Sequence, residues 1–335
     1  MAFFELNSAI TVGNYTFKGV HDVRVRRSLR SYIDAAWVRL PSKGFVQKGA
    51  NIEEVTTGAL INDGDKVVIK LGYNGDLKTE FEGFVKRRNL AMPLEIECEG
   101  YCRQLRLDVN MKGNYPEVTL KKLLTDMCKG TDIKVDCKVD MALTGLRMTD
   151  FDGYAVLEHV KRMTQNALTV FFIEPKVLWV GLTNTPYLAG TKVFSLPTVS
   201  YRLGYNAIKD SDLKERVPTE KVVVVINGVT VSGDPVRTQS KDKVAKRREK
   251  YFLNNVKGEA TLKSIAEELA NVRNYTGYEG SINAFLQPFA EPGYDTIIKD
   301  SRYPLLDGTY LVESTDVTFG VNGARRRVGI GPKLK

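Results

Sequence analysis

The chain has 335 residues, 43% of them hydrophobic and 27% charged, with a formal net charge of +9. This is an ordinary globular composition, long enough for two or three domains of about 100 to 150 residues each. It contains no apolar run of about 18 residues, no basic segment leading into an apolar one at the N-terminus MAFFELNSAITVGNY, and no lipidation motif at the C-terminus. Membrane insertion and secretion are therefore not expected, and synthesis in a cytoplasm is. Without secretion, the sequons at Asn14 and Asn274 carry no meaning. The positive balance favours an acidic partner by long-range attraction without saying which one.

In chain order, Ile10 to Phe17, Val20 to Arg26, Ala36 to Leu40, Lys66 to Tyr73, Thr79 to Arg87 and Leu94 to Tyr101 read as strands. They alternate, or run in β-branched and aromatic residues, between Gly, Asn, Asp and Pro. Asn74-Gly75 predicts a tight hairpin turn, because both residues tolerate positive φ. From about Tyr115 the period changes. Leu120, Leu123, Leu124, Met127 and Cys128 mark a helix with Thr119 as N-cap and Gly130 as stop.

A strand at Ile133 to Val139 follows, then a helix starting near Asp152 with Val156, Leu157, Val160 and Met163 on one face. A hairpin turning near Glu174-Pro175 completes a small α+β module. Strands return at Val193 to Ser195, Val199 to Leu203 and Val222 to Ile226, with a second Asn-Gly turn expected at Asn227-Gly228 before Val229 to Val231. Between Arg237 and Lys250 the chain is basic, with Lys241, Lys243, Lys246, Arg247, Arg248 and Lys250 against Asp242 and Glu249, and reads as an exposed loop or arm. A last helix spans ATLKSIAEELANVRNY.

One phrase occurs twice. GDKVVIKLGYNGDLKTEFEGFV, Gly64 to Val85, is followed two hundred residues later by GYDTIIKDSRYPLLDGTYLV, Gly293 to Val312. Each opens on a glycine, reverses, and carries a glycine in the return strand, Gly83 and Gly308, where a bulge or barrel corner is expected. The copies lie toward the ends of the two β-rich regions. This predicts a mainly β chain with an α+β insertion: a first β-barrel domain over 1–110, an α+β domain over 111–184, and a second barrel over 185–335 that includes the basic loop and the last helix.

The residues GDKVVIKLGYNGDLKTEFEGFVKRRN, the following PLEIECEGYCRQLR, and the closing LLDGTYLVESTDVTFGVNGARRRVGIGPKL together resemble phage tail baseplate hub proteins of the late control protein D and Mu-like family. The helix, strand, helix and hairpin between Thr119 and Val180 are similar to that family's middle. The resemblance implies a noncatalytic virion structural protein of the tail baseplate, assembled in the host cytoplasm. It implies a homotrimer whose two barrels per chain form a pseudo-sixfold ring and channel between tail tube and central spike, in a phage or other contractile injection particle. The implied partners are a spike chain, a tail tube or tube-initiator protein and the tape-measure protein. No lysozyme-like or needle domain follows Lys335, so the spike is expected to be a separate chain.

No enzyme constellation stands against this. His21 and His159 read as surface or core-edge histidines, Asp63 and Asp65 as turn residues around Gly64, and Asp150 and Asp152 as helix-entry residues. G-x-S-x-G, Walker and G-x-G-x-x-G patterns are absent. Cys98-x-x-x-Cys102 lacks the two-residue gap of a zinc or redox motif, and with Cys128 and Cys137 these read as free thiols. No metal or cofactor is expected.

The basic clusters Arg24 to Arg27, Lys86 to Arg88, Lys246 to Arg248 and Arg325 to Arg327 leave a nucleic-acid-binding reading open, and a tail-associated cell-wall hydrolase is the other alternative. The clusters lack interleaved stacking aromatics or a recognition helix. Phosphate-gripping residues in a hub channel would hold back passing DNA. Lys246, Arg247, Arg248, Arg325, Arg326 and Arg327 are therefore expected at subunit or partner interfaces or on the outer wall, with DNA passing unbound.

Overall fold

The structure, a computed structural model, describes residues 5–17, 19–48, 51–139, 141–182, 187–188, 191–192, 196–208, 212–229, 234–241 and 247–334. The strand expected at Val193 to Ser195, the end of that at Val229 to Val231, and the centre of the basic stretch including Lys246 lie outside these residues.

The first region builds β1 (Leu6–Val12), β2 (Asp22–Ser28), β3 (Ser31–Leu40), β4 (Lys66–Tyr73), β5 (Asp76–Asn89) and β6 (Leu94–Glu99). Alternation decides their faces: Val23, Val25, Ala36, Val38, Ile96 and Cys98 point into one core with Ile10 and Ile69, while Arg24, Arg26 and Arg39 point out. Asn74 and Gly75 both have positive φ and close β4 onto β5, as expected. The Asn7 side chain accepts from the Gly75 amide at 2.7 Å.

The middle module comprises β7 (Met111–Thr119), α1 (Leu120–Met127), β8 (Lys134–Cys137), β9 (Ala142–Phe151), α2 (Gly153–Met163), β10 (Thr169–Glu174) and β11 (Val177–Gly181). Thr119 caps α1 through the Lys122 amide, and Asp152 caps α2 through the Ala155 amide at 2.7 Å. Sequence reading misses the β7–β9 ladder, because MKGNYPEVT is mostly polar and holds a proline. β7 is an edge strand with a bulge between Met111 and Gly113, where proline and exposed polar residues are tolerated. Replacing Asp152 with Ala is expected to lower the stability of the chain by about 1 kcal/mol in urea unfolding, since the cap oxygen and its charge at the helix start are both lost.

The last region builds β12 (Thr198–Arg202), β13 (Asp212–Arg216), β14 (Val222–Val229), β15 (Pro235–Gln239), β16 (Arg247–Leu253), α3 (Glu259–Asn274), β17 (Gly277–Ala284), β18 (Asp295–Lys299), β19 (Gly308–Gly320) and β20 (Gly323–Lys333). Two expectations are corrected here. Asn227-Gly228 is not a turn but the interior of β14, and the glycine is needed because a Cβ there would lie 2.8 Å from the Leu253 carbonyl oxygen. The flanks of the basic stretch are not loop but β15 and β16, paired antiparallel and parallel to β14. Charged residues on the exposed face of RREKYFL mask its alternation. Packing also crosses the sequence divisions: Val222, Val224, Ile226, Leu253, Leu262 and Ile265 share one core with α1, α2 and their strands.

A 13-stranded sheet joins both β-rich regions, in the order β13, β17, β20, β19, β2, β3, β6, β5, β4, β1 and the short strand Tyr15–Phe17, with β18 attached beside β19 and β12 beside β18. Within it the repeated phrase is a structural repeat. Gly64 donates to the Val85 carbonyl at 2.8 Å and the Val85 amide returns to Asp65; Gly293 donates to the Val312 carbonyl at 2.9 Å and the Val312 amide returns to Tyr294. Both opening glycines have positive φ.

The likeness extends far beyond the hairpin. β4, β5, β6, β3 and β2 neighbour one another in the same order and antiparallel sense as β18, β19, β20, β17 and β13. One rung runs Val85, Cys98, Ala36, Val25 and its counterpart runs Val312, Ile330, Gly280, Leu213. Both units carry a bulge after the valine, between Val85 and Arg87 and between Val312 and Ser314.

The return-strand glycines, by contrast, do not coincide. In this register the counterpart of Gly83 is Tyr310, whose hydroxyl donates to the Leu306 carbonyl, while Gly308 lies nearer the hairpin end. Gly83 is required in its own copy because a Cβ would come within 2.3 Å of the Glu99 carbonyl oxygen.

Candidate functional site

The two units meet where β2 pairs with β19, in a register that sets Val25 opposite Val317 and Arg26 opposite Asp316. On the outer face Arg24 and Arg26 both bind Asp316, at 2.6 and 3.0 Å. Burial alone would raise that carboxyl, but the two arginines hold it below its ordinary value.

Beneath the same region lies a buried charge cluster. Arg27 binds Asp34 at 3.2 Å, Glu291, and the Phe172 carbonyl at 3.0 Å. Arg326 of β20 binds Glu80 of β5 at 2.6 Å, donates to the Ala290 carbonyl at 2.9 Å, and lies over the Phe289 ring. Arg326 and Glu80 are 1% and 4% exposed. Three carboxylates thus face two guanidinium groups inside the molecule. Burial pushes Glu80 up against the pull of Arg326, and pushes Asp34 up to about 6 against the pull of Arg27. These groups tie β2, β3, β5, β20 and the 286–291 loop together, and through Phe172 they reach the middle module.

Strand alternation sorts the arginines expected at interfaces. Arg325 and Arg327 are exposed: Arg325 lies over Phe285, and Arg327 binds Ser281 at 2.7 Å and Asp212 at 3.2 Å. Arg326 is the correction. Standing between them on a strand, it must point the other way, into the core, where it binds within its own chain. Arg247 and Arg248 are exposed on β16, Arg247 beside Glu249 at 3.5 Å.

Sequence reading missed Glu80 for a definable reason. Ile69 pairs with Phe81 and Lys70 with Thr79, so Glu80 is the extra residue of a bulge and is buried beside its buried neighbour Phe81. Asp34 and Glu291 carried no signal either, since their burial depends on residues remote in sequence.

The remaining candidates have structural tasks. Asp65 accepts from the Asn62 amide at 2.7 Å, Asp63 lies 3.5 Å from Arg88, and Asp150 binds Lys112 at 2.5 Å. His21 is exposed beside Asp22, and His159 packs edge-on against Phe151, its pKa lowered by burial and by Arg162. Cys98, Cys102 and Cys128 are buried thiols, and burial pushes Cys102 up to about 12. Among the described residues no cluster of His, Cys, Asp or Glu could hold a metal ion, and no helix is long and apolar enough to cross a membrane.

The geometry defines a mainly β scaffold made of two topologically matched units, locked together by a sheet seam and a buried ionic cluster. No protein-family model and no curated protein matches the sequence. Among solved structures, the chain is similar to the 43 kDa tail protein of prophage MuSo2 from Shewanella oneidensis, with 14% identity, a TM-score of 0.61 and 98% of each chain covered. It is also similar to a tail protein from Neisseria meningitidis, with 12% identity, a TM-score of 0.63, and 97% of this chain and 96% of the other covered. A third similar structure is an Escherichia coli type VI secretion component that itself resembles T4 bacteriophage tail proteins, with 10% identity, a TM-score of 0.58, and 97% and 77% coverage. The chain therefore has the fold of phage tail proteins and their secretion-system counterparts, as the sequence resemblance implied.

Proposed function

We propose that this chain is the structural baseplate hub of a phage tail or related contractile injection particle: a homotrimer whose paired β units form a pseudo-sixfold ring around a channel, joining tail tube to central spike. The observation that carries the reading is a likeness to a prophage tail protein over 98% of both chains, in a chain whose two halves repeat one five-strand arrangement. Two equivalent units per copy let three copies present six similar surfaces to a sixfold tube and a threefold face to a spike.

In this reading each β unit, roughly 1–110 and 185–335, is a barrel domain around the α+β domain 111–184, and the role is mechanical rather than catalytic. The spike, a tube or tube-initiator protein and the tape-measure protein are the partners. DNA passes without specific binding, and outward arginines such as Arg248 and Arg325 contact neighbouring proteins. Assembly occurs in the host cytoplasm and the product resides in the virion baseplate.

Electron microscopy of native particles carrying a tag on this chain tests the proposal. The expected result is threefold density for the tag at the junction of tube and spike, with tails lacking the chain failing to join the two. Density elsewhere in the particle, or intact tube–spike junctions without the chain, would sink it.

A further inference from the structure

The internal seam supplies a template for a contact that one chain cannot complete. In the seam, the far half of β19 beyond its bulge pairs with β2. The counterpart of β19 is β5, whose residues Arg87 to Asn89 beyond the equivalent bulge pair with β6 on one side and, among the described residues, with no strand on the other. The counterpart of β2 is β13, which pairs with β17 and ends the sheet. The chain therefore makes the junction once and leaves its two complementary halves open at opposite places.

Exposure agrees with that accounting. Val317 and Leu29, at the internal seam, are 1% and 3% exposed. Their counterparts in the shared register, Leu90 and Val217, are 75% and 63% exposed. Large apolar side chains standing in solvent at two open strand edges, at positions whose counterparts are core residues, mark surfaces built to be covered.

We propose that β13 of one copy adds to the far half of β5 in a second copy of this chain, repeating the internal seam between molecules. Carrying the register across sets Arg87 opposite Arg216, Arg88 opposite Glu215, Asn89 opposite Lys214, Leu90 opposite Leu213 and Ala91 opposite Asp212. Leu90 then meets the half-buried Leu213 as Val317 meets Val25, and Arg88 gains an opposite charge. The one like-charged rung is already neutralised, Arg87 by Glu97 and Arg216 by Glu279. Pro218, directly after Val217, ends the ladder, because it has no amide to donate. The contact is head to tail, the kind of interface that generates a ring when the rotation between copies closes. The inference deepens the proposed ring by naming its seam, and it depends on that reading only in requiring a second copy.

Cysteine trapping on the full chain tests it. Asn89 and Lys214 are the counterparts of Asp316 and Arg26, which touch at 3.0 Å in the internal seam, and both face outward where substitution spares the core. The Asn89→Cys/Lys214→Cys chain, purified and in native particles, is expected to give disulfide-linked species ending at three copies under oxidation. The one-residue slip Asn89→Cys/Glu215→Cys, which puts the thiols on opposite faces, and the native chain with its own cysteines should not. Leu90→Asp is expected to shift the self-associated mass toward the single chain. Copies that associate without linking the pair, or that link both pairs equally, overturn the seam while leaving the hub reading standing. A chain that occurs singly in the particle overturns both.

Discussion

Replacing Arg326 with Ala is expected to lower the free energy of unfolding by about 3 to 5 kcal/mol, the cost of leaving one partner of a buried ion pair uncompensated. The side chain is almost fully enclosed, and its removal strips Glu80 of its ion-pair partner, together with the donors to the Leu286 and Ala290 carbonyls. Glu80 would then respond by taking up a proton, as its already raised pKa anticipates. Urea unfolding followed by fluorescence measures the loss as a fall in midpoint at unchanged slope. Arg326→Met combined with Glu80→Leu should recover most of it, because a buried pair contributes less than its breakage costs. A single substitution costing under about 1 kcal/mol would mean that water reaches the cluster, and would remove the claim that it locks the two units.

The pH dependence of stability is expected to carry the mark of Asp34. Burial is the largest influence on this carboxyl and raises it from 3.8 to about 6, with Arg27 opposing and Glu291 assisting. A carboxyl that holds its proton more tightly in the folded chain stabilises that state most below its unfolded value. The contribution is lost as pH rises through the folded one. Between about pH 4 and 6 the loss amounts to roughly 3 kcal/mol.

Asp34→Asn keeps the shape and removes the titration. The stability of the Asn chain relative to the native one should therefore climb across that window and level off above it. Chemical unfolding at a series of pH values for both chains separates this from the other carboxylates. A difference curve that falls with pH would show that the ion pair with Arg27 outweighs burial, and would reverse the assignment.

Legibility in the sequence followed the range of the forces involved. The turn at Asn74-Gly75 and the caps Thr119 and Asp152 depend on residues within a few positions of one another, and each is as expected. The repeat was visible because its bracket, a positive-φ glycine bonded to a valine after a hairpin, uses the same local chemistry twice. Asn227-Gly228 misled because a turn signal and a close strand contact both call for glycine, and only the proximity of Leu253 distinguishes them. The run Arg325 to Arg327 misled because three adjacent charges look like one patch, whereas a strand sends its middle residue to the opposite face.

The sequence by itself determined the mainly β class, the α+β insertion and the presence of two related hairpins. These rest on periodicity and on backbone preferences that act over one turn or one rung. Tertiary structure alone decided that the two β regions share a sheet, that β14 to β16 and α3 join the middle core, and that Glu80 and Arg326, 246 positions apart, form a buried pair. Those outcomes depend on which edges and charges meet across the chain. Such meetings are set by collective packing and desolvation, to which no single stretch of residues holds the key.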